Sequence, residues 1–272
     1  MGFLTTQDHI PEYIERQYFG QLPDQLPDAS TLELEMAEME TLLSNVLFAE
    51  KCDLAHSPVL LSPKAASVLM HSLLGHDLEN PENSWLRERL WQQVMPESFS
   101  SYSDPTVSKV GGNYCGGSYM FDDEGVKSQK VRHIDHGVFQ QFLSSRMQRS
   151  NAFKSNGNAR GNRLLPSARQ SNLFVESDKA LDKSKLFELL AHEAGKQSLE
   201  KALYVEEVEV RCDTNGIVSL YPTVCYEIYT NYRKPDQILR DVVLTGTRQQ
   251  WLSNLVAAGD KNNCVTMTCH SQ

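Results

Sequence analysis

The spacing of apolar residues over the first eighty positions predicts two helices and a strand. Apolar side chains recur every three or four positions over residues 31–51, which is typical of an amphipathic helix that packs on one face. The apolar run at residues 58–61 predicts a strand. Ser62 followed by Pro63 favours the start of a second helix, which we expect near residues 63–79. Residues 1–30 contain three prolines and little periodicity, so we expect an irregular arm there.

The remainder of the chain alternates short β-like runs with turn signals and further helical patterns. Asp135-His136-Gly137 and the DTNG sequence that ends at Gly216 each separate two apolar runs, which is typical of β-hairpins. We predict helices at residues 84–95, 183–201 and 248–258, strands at residues 203–211, 217–221, 223–232 and 240–247, and a Ser/Gly-rich loop at residues 100–118. The pattern therefore predicts an α+β fold, in which an antiparallel β-sheet system packs against a few helices.

The charge and composition of the chain argue against several classes of protein. The 272 residues carry a formal net charge of −9, whereas a nucleic-acid groove needs a basic face, so we expect no nucleic-acid partner. No run of about 18 apolar residues is present, which argues against a membrane protein. The N-terminus lacks the pattern of a secretion signal. We therefore expect a cytoplasmic protein in which most of the six cysteines are reduced thiols.

Two histidines near the end of the second helical pattern are the strongest candidates for chemistry. Zinc favours imidazole and thiolate ligands, and His71 and His76 lie five positions apart. On an ideal helix their side chains would point about 140° apart. Gly75 can loosen the backbone, and a π-bulge would bring both imidazoles to one face. We therefore predict a non-ideal helix between Leu73 and His76. The alternative is that both histidines are ordinary polar residues near a helix end.

Two other polar clusters are interpreted without a metal. His192-Glu193 begins like a zinc-protease motif, but Lys196 occupies the second ligand position, so we expect surface or packing residues. The acidic cluster at residues 122–124 lacks the spacing of an EF-hand, so a polar turn is favoured over a calcium site.

Six segments, in order along the chain, resemble segments of the TldD/PmbA family of metallopeptidases. They lie at residues 119–126, 134–139, 156–161, 166–172, 226–247 and 268–272, and they include the sequences DDEG, IDHGVF, NGNARG and PSARQSN. The stretch from His71 to His76 resembles the H-E-x-x-x-H metal-site helix of that family, with Ser72 at the position of the catalytic glutamate. The resemblance implies a C-terminal domain of this family over residues 58–272, preceded by an N-terminal arm and helix at residues 1–57.

The resemblance also nominates the residues of a catalytic site. It implies a zinc ion held by His71, His76 and Cys269, with an open fourth position of the kind that catalytic zinc sites keep. Glu79 matches an acidic position of the family, and either acts as the general base or orients His76. Ser72 cannot act as a base at neutral pH, although its hydroxyl can hold a water molecule by hydrogen bonds.

Substrate binding is expected in a cleft near Gly157, Asn158 and Asn172, where the family resemblance implies that a peptide is added as a strand. The alternative for Gly157 and Asn158 is an ordinary turn. The function that follows is a zinc-dependent hydrolase acting on peptide or amide bonds, with a small or modified peptide, or another small amide, as substrate. A catalytically degenerate subunit that serves as a binding partner or scaffold is the alternative, and a metal-free structural protein is the third. We expect a homodimer or a heterodimer with a family member.

Overall fold

The computed structural model describes residues 2–7, 10–20, 22–54, 56–146, 154–161, 165–230, 236–260 and 265, with side chains from residue 13 onward. The helices among them are α1 (Ala29–Leu47), α2 (Pro63–Met70), α3 (His76–Glu79), α4 (Lys183–Lys196) and α5 (Arg248–Ser253), and a π-helical turn (His71–Gly75) joins α2 to α3. The strands are β1 (Gly2–Gln7), β2 (Ile10–Glu15), β3 (Glu50–Lys51), β4 (Val59–Leu61), β5 (Phe99–Ser103), β6 (Lys109–Val110), β7 (Asn113–Tyr114), β8 (Val131–Asp135), β9 (Val138–Phe139), β10 (Ala159–Arg160), β11 (Ser167–Ala168), β12 (Leu173–Ser177), β13 (Lys201–Cys212), β14 (Ile217–Tyr229), β15 (Gln237–Arg240) and β16 (Leu244–Thr247). The short 3₁₀ turns are Pro23–Gln25 and Arg87–Arg89.

The larger sheet is built around the long antiparallel hairpin of β13 and β14. Gly216 in its turn has a φ of 81°, a left-handed conformation that suits glycine. The strand order is β3-β15-β14-β13-β4, and β16 also pairs with β14. Because β4 runs parallel to β13, the chain leaves β4 at Ser62 beside β13. Ser62 is fixed there by its backbone nitrogen, which donates to the Val205 carbonyl at 2.8 Å.

A smaller sheet of order β12-β5-β8-β9 contributes to the same core. β5 is its central strand, paired antiparallel with both β12 and β8. β8 and β9 are joined by a tight turn at His136 and Gly137, whose φ angles are 44° and 78°. A Cβ at Gly137 would lie 2.2 Å from the Met95 carbonyl oxygen, so the turn needs glycine both for its conformation and for space.

The segment that carries the two candidate histidines packs into the main core. Its four leucines, Leu69, Leu73, Leu74 and Leu78, are at most 1% exposed. Both sheets contribute residues to the same core cluster, among them Val218, Leu220, Ile134 and Phe139. Burial of one leucine side chain contributes about 1.5–3 kcal/mol. These contacts therefore anchor the segment from α2 to α3 against both sheets.

Several sequence predictions are confirmed. The fold is α+β, and the helices predicted near residues 31–51, 63–79, 183–201 and 248–258 are present with somewhat different ends. Ser62 caps α2, because its side chain accepts a hydrogen bond from the Ala65 nitrogen, and Pro63 occupies the first helical position. The strands predicted separately at residues 217–221 and 223–232 are one strand, because β14 runs continuously through Pro222. Pro222 lies opposite Val208, next to the β-bulge at Glu207, where a missing backbone donor is tolerated.

Other local predictions are wrong, among them the single strand at residues 240–247, where β15 ends at Arg240 and β16 begins at Leu244. Part of the expected irregular arm forms the β1–β2 hairpin. Both strands of a two-stranded sheet are edge strands, so Pro11 is tolerated in β2. Residues 84–95 contain only the turn Arg87–Arg89, because Trp91 adopts a φ of 65° and its nitrogen donates to the Phe139 carbonyl instead of continuing a helix. The Ser-rich region 100–118 contains most of β5, since pairing on both sides outweighs the weak β-propensity of serine.

Candidate metal centre

A π-helical turn brings His71 and His76 together. The turn spans His71–Gly75, between α2 and α3, and it widens the helix where five-residue spacing would otherwise separate the two side chains. The imidazole centroids lie 4.7 Å apart, with the ring planes at 72°. The prediction of a non-ideal helix between Leu73 and His76 is confirmed. One face of this segment therefore presents two imidazoles side by side.

Gly75 provides the space that the His71 ring occupies. A Cβ at Gly75 would lie 2.8 Å from Nδ1 and 3.2 Å from Cε1 of His71. Contacts below 3.0 Å are not tolerated by real Cβ atoms, so any other residue would displace the ring. The backbone of Gly75 is right-handed helical, with a φ of −51°, so glycine is required here for space alone.

The His71 ring has a buried nitrogen that is available to a ligand. Its Nε2 atom is buried and has no hydrogen-bond partner among the described residues, which is rare for buried polar atoms in folded proteins. Burial lowers the pKa of His71 below its usual value, the neighbouring His76 lowers it further, and Glu79 acts in the opposite direction. His71 is therefore neutral at pH 7, which is the form that binds metals. An unpartnered neutral imidazole beside a second imidazole fits a zinc ligand pair.

Glu79 is held in place by the segment that follows β11. Its Oε1 accepts a hydrogen bond of 2.7 Å from the Gln170 backbone nitrogen, and its Oε2 accepts one of 2.9 Å from Arg169. His76 Nδ1 lies 3.8 Å from Oε2. Burial raises the pKa of the Glu79 carboxyl, but hydrogen bonds from His76, the Gln170 backbone and Arg169 outweigh it and hold that pKa below its usual range. Such a carboxylate is a weak base and is well placed to orient His76.

Asp77 faces away from this cluster and pairs with α5. Its Oδ2 lies 2.9 Å from Arg248 Nε, as a close ion pair without the alignment of a hydrogen bond. Its Oδ1 accepts a hydrogen bond of 3.3 Å from the Trp85 backbone nitrogen. Burial raises the pKa of Asp77, and Arg248 only partly offsets this effect. Asp77 therefore joins α3 to α5 and does not reach toward the imidazoles as a base.

Ser72 uses its hydroxyl within the helix. Ser72 Oγ donates to the Val68 carbonyl at 3.0 Å, a bond to the preceding turn that serine often makes in helices. Its own carbonyl accepts from Cys212 Sγ at 3.9 Å, which connects the π-turn to the end of β13. The Ser72 hydroxyl is therefore engaged by the helix backbone.

Cys269, the third predicted ligand, lies outside the described residues. Within the part of the chain that the structure covers, no group of three or more His, Cys, Asp or Glu side chains is arranged to hold a metal ion. The described part of the centre is thus a histidine pair with Glu79 beside it. The ligand set His71, His76 and Cys269 stays a prediction.

The three residues predicted to bind substrate support loops in this structure. Gly157 has a φ of 74°, and a Cβ there would lie 2.5 Å from the Lys127 carbonyl oxygen. Asn158 is fully buried, and its Nδ2 donates to the Asn156 carbonyl at 2.9 Å. Asn172 donates to the Asp104 and Val107 carbonyls and accepts from the Gly117 nitrogen. The turn at residues 157–158 is therefore formed, and the substrate-binding role stays a prediction.

The two polar clusters interpreted without a metal form a turn at Asp122 and an exposed pair on α4. Asp122 accepts hydrogen bonds from the backbone nitrogens of Glu124, Val126 and Ala159, as expected for a polar turn. His192 is exposed on α4, 3.7 Å from Glu193. The sequence pattern did not predict the roles of Arg169, Gln170 and Arg248. The PSARQSN segment, which contains the first two, was the only signal that could have pointed to them.

The chain is similar in sequence to known metalloproteases. Residues 55–270 match the family model of the PmbA/TldA metallopeptidase C-terminal domain. A metalloprotease from Methanocaldococcus jannaschii is 33% identical over 138 residues, which are 48% of this chain and 29% of that protein. A metalloprotease TldD homolog from Haemophilus influenzae is 30% identical over 125 residues, 43% of this chain and 25% of that protein. The chain therefore matches only about a quarter to a third of the length of these relatives.

Two solved structures share the fold. TldE from Thermococcus kodakarensis superimposes with a TM-score of 0.65 at 13% identity, over 97% of this chain and 57% of that one. A proposed modulator of a DNA gyrase from Thermotoga maritima gives a TM-score of 0.69 at 18% identity, over 95% and 56% of the two chains. At these identities the likeness concerns the fold alone.

No helix among the described residues is long and apolar enough to cross a membrane.

Proposed function

We propose that this chain, which belongs to the TldD/PmbA family of metallopeptidases, binds zinc through His71 and His76 and hydrolyses peptide or amide bonds. The observation that carries the proposal is the buried, unpartnered Nε2 of His71, 4.7 Å from the second imidazole when measured between ring centroids. The names of the relatives, which are metalloproteases, support the reaction class. Cys269 is the third ligand that the family resemblance nominates.

Each residue of the centre would have a separate role in such a reaction. A bound zinc ion supplies a Lewis acid and lowers the pKa of a water molecule that it binds. His71 and His76 would hold that ion. Glu79 accepts from Arg169 and Gln170 and faces His76, so it fixes the orientation of a ligand. The buried leucines beneath the turn keep the backbone in place.

Zinc binding is tested with protein purified without chelator. We expect about one equivalent of zinc in the wild type, and loss of that metal in His71→Gln and His76→Gln. His192→Gln is the matched control, because His192 is also a helical histidine but is exposed and lies next to Glu193 on α4. Metal-free wild-type protein that also fails to take up added zinc would contradict the proposed site.

A second function, that of a catalytically degenerate subunit, is favoured by one specific observation. The described carboxylates near the histidines are engaged: Glu79 with Arg169 and Gln170, and Asp77 with Arg248. The side chain of Ser72 cannot act as a general base, and its hydroxyl donates a hydrogen bond to the helix backbone. Loss of general-base assistance typically slows a reaction about 10²–10⁴-fold. On this alternative the protein binds metal and a partner without appreciable turnover.

Ser72→Glu separates these two functions. With zinc bound, we expect the substitution to raise hydrolysis of a generic peptide by about 10²-fold or more, because it restores a carboxylate next to the first histidine. Ser67→Glu is the control, since Ser67 lies on α2 and makes the same kind of bond, from its hydroxyl to the Pro63 carbonyl. Zinc-loaded Ser72→Glu protein with no gain over the Ser67→Glu control would exclude the hydrolase for general peptides and favour the degenerate subunit.

A further inference from the structure

A chain of hydrogen bonds leads from the candidate metal centre into the smaller sheet. Gln170 Nε2 donates to Ser103 Oγ, and Ser103 Oγ lies 2.7 Å from His133 Nε2. His133 Nδ1 lies 3.1 Å from the Gln141 carbonyl oxygen. Ser103 and His133 are both fully buried, so their polar atoms depend on one another for hydrogen bonds. This chain of hydrogen bonds, here named the relay, consists of Gln170, Ser103, His133 and Gln141.

The chemistry of the relay allows only one direction of donation. The Gln141 carbonyl can only accept, so His133 carries its hydrogen on Nδ1 and leaves Nε2 as an acceptor. The Ser103 hydroxyl must therefore donate to Nε2, and its oxygen is left to accept from the Gln170 amide. Burial lowers the pKa of His133 to about 4, which keeps the ring neutral and the direction fixed at pH 7.

Gln170 connects this relay to the metal centre through its own backbone. Its side chain is bonded to Ser103, while its backbone nitrogen donates to Glu79 Oε1 at 2.7 Å. The same carboxylate faces His76, with 3.8 Å between Oε2 and Nδ1. The side-chain bond therefore fixes the place from which Gln170 presents its backbone N–H. A shift of Gln170 would move the carboxylate, and with it the partner of the His76 ring.

We propose that His133 and Ser103 are positioning residues of the metal centre, which act through Gln170 and Glu79 to set the orientation of the His76 ring. The functional meaning of the relay rests on the proposed zinc site. Its effect on His76 does not, because it acts through the contact between Glu79 and His76, which needs no metal. Partners of this kind, one step removed from a ligand, commonly change metal affinity about 10- to 100-fold.

Gln170→Met is the principal test variant. It keeps the backbone nitrogen that binds Glu79 and a side chain of similar length, but it removes the donor to Ser103. Gln170 is half-buried, so the variant should fold. Ser103→Ala breaks the relay one step further from the site. Ser101→Ala is the matched control, because Ser101 lies on the same strand, is fully buried, and its hydroxyl has no hydrogen-bond partner among the described residues.

Two measurements are made on each protein. The first is the ring ¹⁵N spectrum of His76 in metal-free protein, assigned by its loss in His76→Gln. The second is the affinity for Co²⁺ and Zn²⁺, measured by competition with a chelator. We expect Gln170→Met and Ser103→Ala to change the tautomer balance of His76 and to weaken metal binding about 10-fold or more. Ser101→Ala should change neither.

The outcomes separate the relay from the proposed function. Unchanged His76 signals in both relay variants, while the His133 signals move, would overturn the positioning role even if zinc binds. If the wild type binds no metal but the His76 signals follow the relay variants, the zinc site fails and the positioning role stands. A Ser101→Ala protein that behaves like Ser103→Ala would also overturn the proposal, because the effect would then come from strand packing alone.

Discussion

Replacement of Gly75 by alanine should separate folding stability from metal affinity. An alanine Cβ would lie 2.8 Å from His71 Nδ1, so the ring must move by about 0.6 Å to regain an ordinary contact of 3.4 Å. Zinc–nitrogen distances in real sites vary by only about 0.2 Å. The displaced ring therefore leaves the position that it shares with His76, and we expect zinc affinity to fall at least about 10-fold.

The backbone effect of the same substitution has the opposite sign. Gly75 has helical dihedrals, with a φ of −51° and a ψ of −59°, and alanine is favoured over glycine inside a helix by about 0.8–1 kcal/mol. The obstacle is the ring of His71, a side chain and not backbone, so a movement of that ring relieves the clash. We therefore expect the free energy of unfolding to stay the same or rise by up to about 1 kcal/mol.

Gly195→Ala is the matched control for this prediction. Gly195 also lies inside a helix, and a Cβ there would meet no atom within 4 Å. Urea unfolding and zinc competition would be measured on both variants and on the wild type. The control should gain stability and keep its zinc affinity. Wild-type zinc affinity in Gly75→Ala would refute the reasoning, because His71 would then not be the ligand held against Gly75.

Two further predictions concern stability. Burial lowers the pKa of His133 to about 4, against 6.5 for a free imidazole. The unfolded chain therefore binds the extra proton first as the pH falls, and stability should drop between pH 6.5 and 4 by up to about 3 kcal/mol. The unfolding free energy of His133→Gln, measured by urea unfolding over this pH range, should not show that drop. Stability curves of the wild type and the variant that run parallel against pH would contradict the prediction. Arg248→Met leaves Asp77 buried without its ion-pair partner, which should cost about 3 kcal/mol. Lys185→Ala at the exposed pair with Asp182 should cost under about 1 kcal/mol, and equal losses would refute the argument.

The local features of the metal helix could be predicted because each follows from neighbouring residues. Ser62 and Pro63 specify where α2 begins. The five-residue spacing of His71 and His76, together with Gly75, required a departure from ideal geometry if the rings were to meet. The hairpin of β13 and β14 likewise follows from the turn sequence that ends at Gly216. In each case the information lies within a few positions of the feature itself.

The partners of the centre could not be predicted, because they come from distant parts of the chain. Gln170 is 91 positions from Glu79 in the sequence, and Ser103 is 67 positions from Gln170. Glutamine and serine in a loop or strand carry no periodic signal, and their roles depend on how β5, β8 and the segment after β11 are brought together. The strand β5 itself was missed for the same reason, since its pairing on two sides, rather than its residue types, determines its structure.

Ser72 connects the geometry of the centre to its chemistry. Its hydroxyl donates to the Val68 carbonyl, a bond that an ionised glutamate cannot make because it has no donor. That bond ties the Ser72 hydroxyl to the last turn of α2, and a bond of this kind to the i−4 carbonyl slightly destabilises and often bends a helix. One side chain at this position therefore cannot serve both as backbone donor and as general base. Ser72→Glu should therefore gain activity through its carboxylate, whereas Ser72→Ala should gain no activity and should keep or raise the unfolding free energy, by up to about 0.7 kcal/mol, because alanine is the better helix former.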